Sequence, residues 1–94
     1  MDDGEFQWDD AKAEFNFAKH GVLFETVKAV FKDPFAIEQI DDPEDYGEER
    51  ITIIGLIDHR FLFVAYTMRG GVIRIILARA AETFEKREYH EQNT

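Results

Sequence analysis

The sequence has no cysteine, which excludes a disulfide framework, a thiolate nucleophile and a Cys-based metal site. No apolar run approaches the roughly 20 residues that a membrane-spanning helix needs. The acidic start, Met1-Asp2-Asp3-Gly4, lacks the apolar stretch of a secretory leader. These absences are what a chain of the reducing cytoplasm shows, with no membrane contact. Also missing are a Walker loop, a dinucleotide fingerprint, a G-x-S-x-G elbow and the regular Asp-x-Asp-x-Asp-Gly calcium pattern. The three histidines, His20, His59 and His90, have no metal-ligand spacing. Neither a cofactor nor a metal is expected.

Positive charge is scarce, and it is unevenly placed. The formal net charge is −9, which argues against wholesale nucleic-acid binding. Residues 1–49 carry fifteen acids and four lysines, a net of −11, whereas residues 50–94 carry five acids and seven bases, a net of +2. All six arginines (50, 60, 69, 74, 79 and 87) lie in that second half. Arginine, with its planar fork of donors, is the side chain that bidentate phosphate recognition prefers. Composition alone favours the plainer reading, a soluble acidic protein with ordinary strand-end arginines.

What is abundant is apolar: 45% of the 94 residues are hydrophobic and nine are Phe. That suffices for one small domain over residues 1–94 with a thin core. Asp9 or Asp10 caps a helix over about 10–20, with apolar or small residues at 11, 15 and 18. Lys19 and His20 suit its last turn and Gly21 stops it. A second helix is expected over 24–32, ended by Asp33-Pro34. The acidic stretch Asp41 to Glu49 reads as an exposed loop or a short helical turn between sheet elements. Strands rich in Ile, Val, Phe and Tyr follow at about 50–57, 61–68 and 72–79. Short strands near Phe6–Trp8 and Phe35–Glu38 can join them, with Trp8 in the core. A charged helix over about 81–91 closes the chain, with Phe84 and Tyr89 as anchors. The class is α+β: an antiparallel-rich sheet of three to five strands, two N-terminal helices and one C-terminal helix.

Gly70-Gly71 is a two-residue hairpin signal, and such a turn fixes parity. Arg69 then faces Val72, Met68 faces Ile73 and Thr67 faces Arg74. Arg69, Thr67 and Arg74 emerge on one face beside Ala65 and Ile76, with Tyr66, Met68, Ile73 and Ile75 on the other. An even turn at Asp58-His59 sets Arg50 opposite Thr67, on the arginine face; an odd one turns it away. Guanidiniums gathered on one face repel one another unless an anion holds them. That anion is either a phosphate or a protein carboxylate, from Glu48, Glu49 or the C-terminal helix. His20 is a candidate general acid or base, since imidazole titrates near neutral pH. A capping role for it remains open, and His59 and His90 read as exposed.

Taken in order, Phe6-x-Trp8-Asp9-x-x-Lys12, Asn16 and Lys19-His20-Gly21-Val22-x-Phe24-Glu25 resemble the signature of the BrnT toxins. So do Val30-Phe31 with Asp33-Pro34, Gly47-Glu48-Glu49-Arg50, Ile54-Gly55, Thr67-x-Arg69-Gly70, Arg74-Ile75-Ile76-x-Ala78-Arg79 and Tyr89. The resemblance runs from about 6 to 90. It implies a RelE-like fold and a metal-independent endoribonuclease that restrains translation as the toxin of a type II toxin–antitoxin pair. The implied partners are RNA and a ribbon-helix-helix antitoxin of the BrnA kind, with operator DNA reached only through that antitoxin. Whether the assembly is a homodimer or a hetero-oligomer is left open. The family's functional positions fall here on His20, Glu49, Arg50, Thr67, Arg69, Arg74 and Arg79.

The chain also departs from the pattern. Met68 stands where a polar or acidic residue is usual, Leu77 where Ser is common, and Ala80 where a basic residue often follows Arg79. These departures and the acidity favour an alternative, a non-catalytic binding module that keeps the fold and the antitoxin-type partner. In either case a protein segment with acidic and apolar residues is expected to cover the arginine face.

Overall fold

The computed structural model describes residues 1–41 and 49–94, so the expected acidic loop lies almost wholly outside the described residues. The elements are β1 (Phe6–Gln7), α1 (Asp10–His20), α2 (Phe24–Val27) running into a 3-10 helix (Lys28–Lys32), β2 (Ile37–Ile40), β3 (Ile51–Ile57), β4 (Arg60–Arg69), β5 (Val72–Ala80) and α3 (Thr83–Gln92). One five-stranded sheet has the order β1-β5-β4-β3-β2. Its pairs are antiparallel except β1 with β5, which is parallel. The fold is α+β with a mixed, mostly antiparallel sheet. No helix among the described residues is long and apolar enough to cross a membrane.

Local chemistry sets the boundaries. The Asp9 side chain accepts from the Lys12 N–H to open α1, and Gly21, at φ 69°, closes it by donating its N–H to the Phe17 carbonyl. Such a left-handed residue costs glycine nothing. The second helical segment tightens from α to 3-10 after Val27 and stops at Asp33, whose extended backbone precedes Pro34. Both hairpins turn through two residues of positive φ: Asp58 and His59 at 47° and 68°, Gly70 and Gly71 at 56° and 80°. Turns of that hand match the twist of the strands they join.

The register follows. Arg69 pairs with Val72, Met68 with Ile73, Thr67 with Arg74 and Tyr66 with Ile75, but Ala65 pairs with Leu77. Ile76 is therefore an extra residue, a β-bulge, and Leu77 rather than Ile76 is the neighbour of Ala65 on the arginine face. The Asp58-His59 turn pairs Ile57 with Arg60 and Ile51 with Tyr66. Carried one step further, that ladder sets Arg50 across from Thr67.

The sheet buries both faces. Against one pack α2 and the 3-10 helix, in a cluster that includes Trp8, Val22, Phe24, Val27, Val30, Ile53, Leu62, Val64, Tyr66 and Ile75. Gly55 lets that layer close: a Cβ there would meet Val30 Cγ1 at 2.7 Å. On the other face Tyr89 of α3 and Ala81, just ahead of it, pack with Ile37, Ile54, Phe61 and Phe63. The helix covers only the end near the Asp58-His59 turn. The end near Gly70-Gly71, where Arg50, Thr67, Arg69 and Arg74 lie, is left uncovered by α3.

Two expected packing faces differ. Ala11, Phe15 and Ala18 are exposed, and the residue α1 buries is Asn16. Its amide nitrogen donates to the carbonyls of Val22 (3.1 Å) and Ala78 (2.8 Å), and its oxygen accepts the Ala78 N–H (3.1 Å). Since β1 pairs β5 only at Ile73 and Arg74, Asn16 satisfies the sheet edge where β1 has ended. The helix is anchored by hydrogen bonds to backbone, and its phenylalanines are free to face water. In α3, Tyr89 is buried as expected, but Phe84 is exposed and Glu85 takes the inner position.

Candidate functional site

The end of the sheet beyond α3 carries a cross-strand row, Arg50–Thr67–Arg74, built by the two even turns. Side chains directly opposite in such a row stand about 5 Å apart at Cβ. Thr67 is its buried centre, 2% exposed. Its hydroxyl donates to the Glu49 carbonyl at 2.6 Å, which ties the chain entering β3 to β4 and fixes where Arg50 begins. Arg50 Nε lies 3.8 Å from the Asp41 carboxylate. Arg74 donates from Nη1 to Gln7 Oε1 at 2.8 Å, so β1 holds this guanidinium in place with a neutral acceptor. Asp9 is also close: its carboxyl is held below the ordinary value chiefly by the Lys12 N–H, and the Arg74 charge adds to the effect. Arg69 shares the face by parity and is exposed.

Beside the row, α1 and the sheet enclose a groove of about 370 Å³ lined by Lys12, Phe15, Asn16, Lys19, His20, Arg50, Ile76 and Leu77. Positions 12, 15 or 16, and 19 share one helix face, so the helix contributes one side and Arg50 stands on the sheet side. Among the described residues the lining includes no carboxylate. On a protein of net charge −9, the groove gathers Lys12, Lys19 and Arg50, with Asp41 beside Arg50. Focused in a cleft, such charge attracts anions.

Not every expected residue joins it. His20 does, at the end of α1. Glu49 meets the row through its backbone carbonyl and lines a separate pocket with Glu38, Gln39, Ile40 and Ile51. It also lies near Tyr66, whose hydroxyl donates to Glu38 at 3.1 Å. Burial above all, then the charges of Glu38 and Glu49, push the Tyr66 phenol up beyond its usual range. Arg79 is held elsewhere. Its guanidinium makes a two-pronged pair with Glu85, at 2.8 and 3.0 Å, and lies 4.1 Å above the Phe63 ring. The C-terminal-helix carboxylate that sequence allowed as a structural partner is thus realised for Arg79.

Lys12, Phe15, Lys19 and Gln7 were not singled out as site residues. A usable signal existed for three of them: given a helix over 10–20, residues 12, 15 and 19 fall on one face, two cations around an aromatic. Gln7 had none, because its role depends on β1 pairing in parallel with a strand more than sixty residues later. Among the described residues no group of three or more His, Asp or Glu is placed to hold a metal ion. What the arrangement can do chemically is grip a phosphodiester between Arg50 and Arg74, with an imidazole and two ammonium groups alongside.

The comparisons with known proteins bear on this geometry. A search of the curated proteins finds no match. The family model described as "Ribonuclease toxin, BrnT, of type II toxin-antitoxin system" matches residues 8–85. That span includes α1, the row Arg50–Thr67–Arg74 and all lining residues of the groove. The chain therefore belongs to the BrnT family, the ribonuclease toxins of type II toxin–antitoxin systems.

Proposed function

We propose that this chain is a metal-independent endoribonuclease, a single RelE-like domain that restrains translation in the cytoplasm by cutting RNA. We assign its neutralisation to a ribbon-helix-helix antitoxin, which alone contacts operator DNA. Family membership supports the ribonuclease class and the existence of an antitoxin partner. The observation that carries the reading is the Arg50–Thr67–Arg74 row, uncovered by α3 and flanked by Lys12, Lys19 and His20.

Cleavage of RNA without a metal needs three things. A base must take the proton of the 2′-hydroxyl as O2′ bonds to phosphorus. Positive charge must stabilise the pentacoordinate state. An acid must protonate the 5′-oxygen as the P–O5′ bond breaks, which leaves a 2′,3′-cyclic phosphate and a 5′-hydroxyl. Arg74 and Arg69 clamp the phosphate and Arg50 assists, as preorganised charge where negative charge develops. Of the two acid–base candidates, His20 is the better supported, because it shares the groove with Arg50 while the Glu49 carboxylate borders Glu38 and Tyr66. Thr67 positions Arg50 through Glu49. Arg79 serves the fold through Glu85.

The test is incubation of the purified protein with RNA in excess chelator. Cleavage with cyclic-phosphate ends is the expected result. Absence of cleavage, or cleavage only after a divalent ion is restored, overturns it, and absence would favour the non-catalytic binding module.

A further inference from the structure

Phe15 is 69% exposed, halfway along a helix that has no need of it for packing. It stands on the groove wall between Lys12 and Lys19, over a floor of Ile76 and Leu77, with Arg50 on the sheet side. The Lys19 ammonium lies 6.0 Å from the centre of its ring. An aromatic face flanked by cations is how proteins hold unpaired nucleic acid: bases stack on the ring while the charges follow the backbone. Lys12, Lys19 and Arg50 would meet the charge of an acidic protein segment too, but the exposed Phe15 ring beside Ile76 and Leu77 offers a flat base a surface that a carboxylate does not use.

Resting on the ribonuclease reading, we propose that Phe15 is a stacking platform for one unpaired base of the RNA, adjacent to the phosphate that Arg74 and Arg69 clamp with the help of Arg50. The substrate class is then single-stranded RNA, since a base in a duplex cannot reach a groove wall. Selection at that base is weak, because stacking needs only a π-face. Leu77, with Ile76, makes the groove apolar beneath the base.

The experiment measures KM and kcat on a short unpaired oligoribonucleotide of mixed sequence for wild type, Phe15→Ala, Phe15→Leu and Phe15→Trp. Removing one stacking ring weakens binding by about 5- to 100-fold, so KM should rise by that factor in Phe15→Ala with kcat within about twofold. Phe15→Leu should behave like Phe15→Ala. Phe15→Trp should keep the wild-type KM and lose indole fluorescence on adding RNA, which the buried Trp8 of wild type does not. Because residue 15 is exposed, these variants fold. Equal KM in wild type and Phe15→Ala, or rescue by leucine, overturns the platform while leaving the ribonuclease reading intact. So does a Phe15→Ala variant that loses affinity for the antitoxin but not for RNA, which would make the groove a protein-docking surface. A wild type that neither binds nor cleaves RNA removes the ribonuclease reading itself.

Discussion

Replacing Asn16 with alanine should be among the most damaging single changes in the chain, although it deletes only a polar group. Asn16 is 4% exposed and holds the Ala78 N–H, the Ala78 carbonyl and the Val22 carbonyl. Each such bond is worth about 1 kcal/mol net, and each buried backbone group left without a partner costs about 1–3 kcal/mol. Partial entry of water lowers that sum, so a loss of about 3 kcal/mol is expected for Asn16→Ala. A domain of this size has about 5–14 kcal/mol in total, and about 3 kcal/mol corresponds to a fall in Tm of about 12–24 °C. Urea titration and thermal melts followed by circular dichroism read both quantities. Asn16→Asp is the informative companion: it keeps the acceptor for the Ala78 N–H but aims a carboxylate at two carbonyls. It should be at least as unstable as Asn16→Ala near neutral pH and should recover in acid, where the protonated carboxyl donates once. A loss below about 1 kcal/mol for Asn16→Ala would refute the view that this side chain completes the sheet edge in place of β1.

Three further outcomes follow from the packing. Gly55→Ala puts a methyl 2.7 Å from Val30 Cγ1 and should cost about 1–3 kcal/mol as overpacking, with much of it recovered in Gly55→Ala/Val30→Ala; equilibrium unfolding of the three proteins decides it. Arg79→Ala takes the cation from the Glu85 carboxylate, 4% exposed, and leaves it the Glu82 N–H; it should cost about 3 kcal/mol, the low end of the penalty for breaking one partner of a buried pair, and a variant with an unchanged melting curve would return Arg79 to the candidate site residues. Asp33 governs part of the acid response. Burial raises its carboxyl pKa, but the N–H groups of Leu56 and Phe35 and the Tyr89 hydroxyl outweigh this and hold it below 3.8. A depressed folded pKa means stability fully present above the unfolded value and lost as pH falls through the folded one. Asp33→Asn should therefore be less stable than wild type near neutral pH and should flatten the decline below about pH 4; an unaltered acid limb would contradict that role.

How much of this could be read from sequence depended on where the information was local. A two-residue turn sits in four consecutive residues, so Gly70-Gly71 was enough to bring Thr67 and Arg74 onto one face, whereas the parity of the Asp58-His59 turn, which decides Arg50, was left open and is even in the structure. The bulge at Ile76 has no glycine or proline to announce it, and it moved Leu77 into the place expected for Ile76. The buried face of α1 was misread because periodicity assumes a helix packs by its apolar stripe, whereas this one is fixed through Asn16 to the edge of β5. For the same reason Phe15 looked like core and is instead a wall of the groove. The acid–base candidates divided in space: His20 lines the groove with Arg50, whereas Glu49, just ahead of β3, lines a separate pocket with Glu38 and Ile51. Arg79 repeats the arginine pattern of the row, yet Glu85 six residues later claims it, a pairing that depends on how α3 turns back over the sheet.

The account's central claim is that the arginine row supplies the charge for phosphodiester cleavage. The most direct measurement is the single-turnover rate constant of RNA cleavage for Arg74→Ala, with Arg60→Ala at the distant hairpin as the matched loss of charge. Losing a preorganised contact to the transition state costs about 3 kcal/mol, so Arg74→Ala should be slowed about a hundredfold or more, with a melting curve close to wild type, while Arg60→Ala stays within a few-fold. Equal rates for Arg74→Ala and Arg60→Ala in proteins of equal stability would contradict the claim.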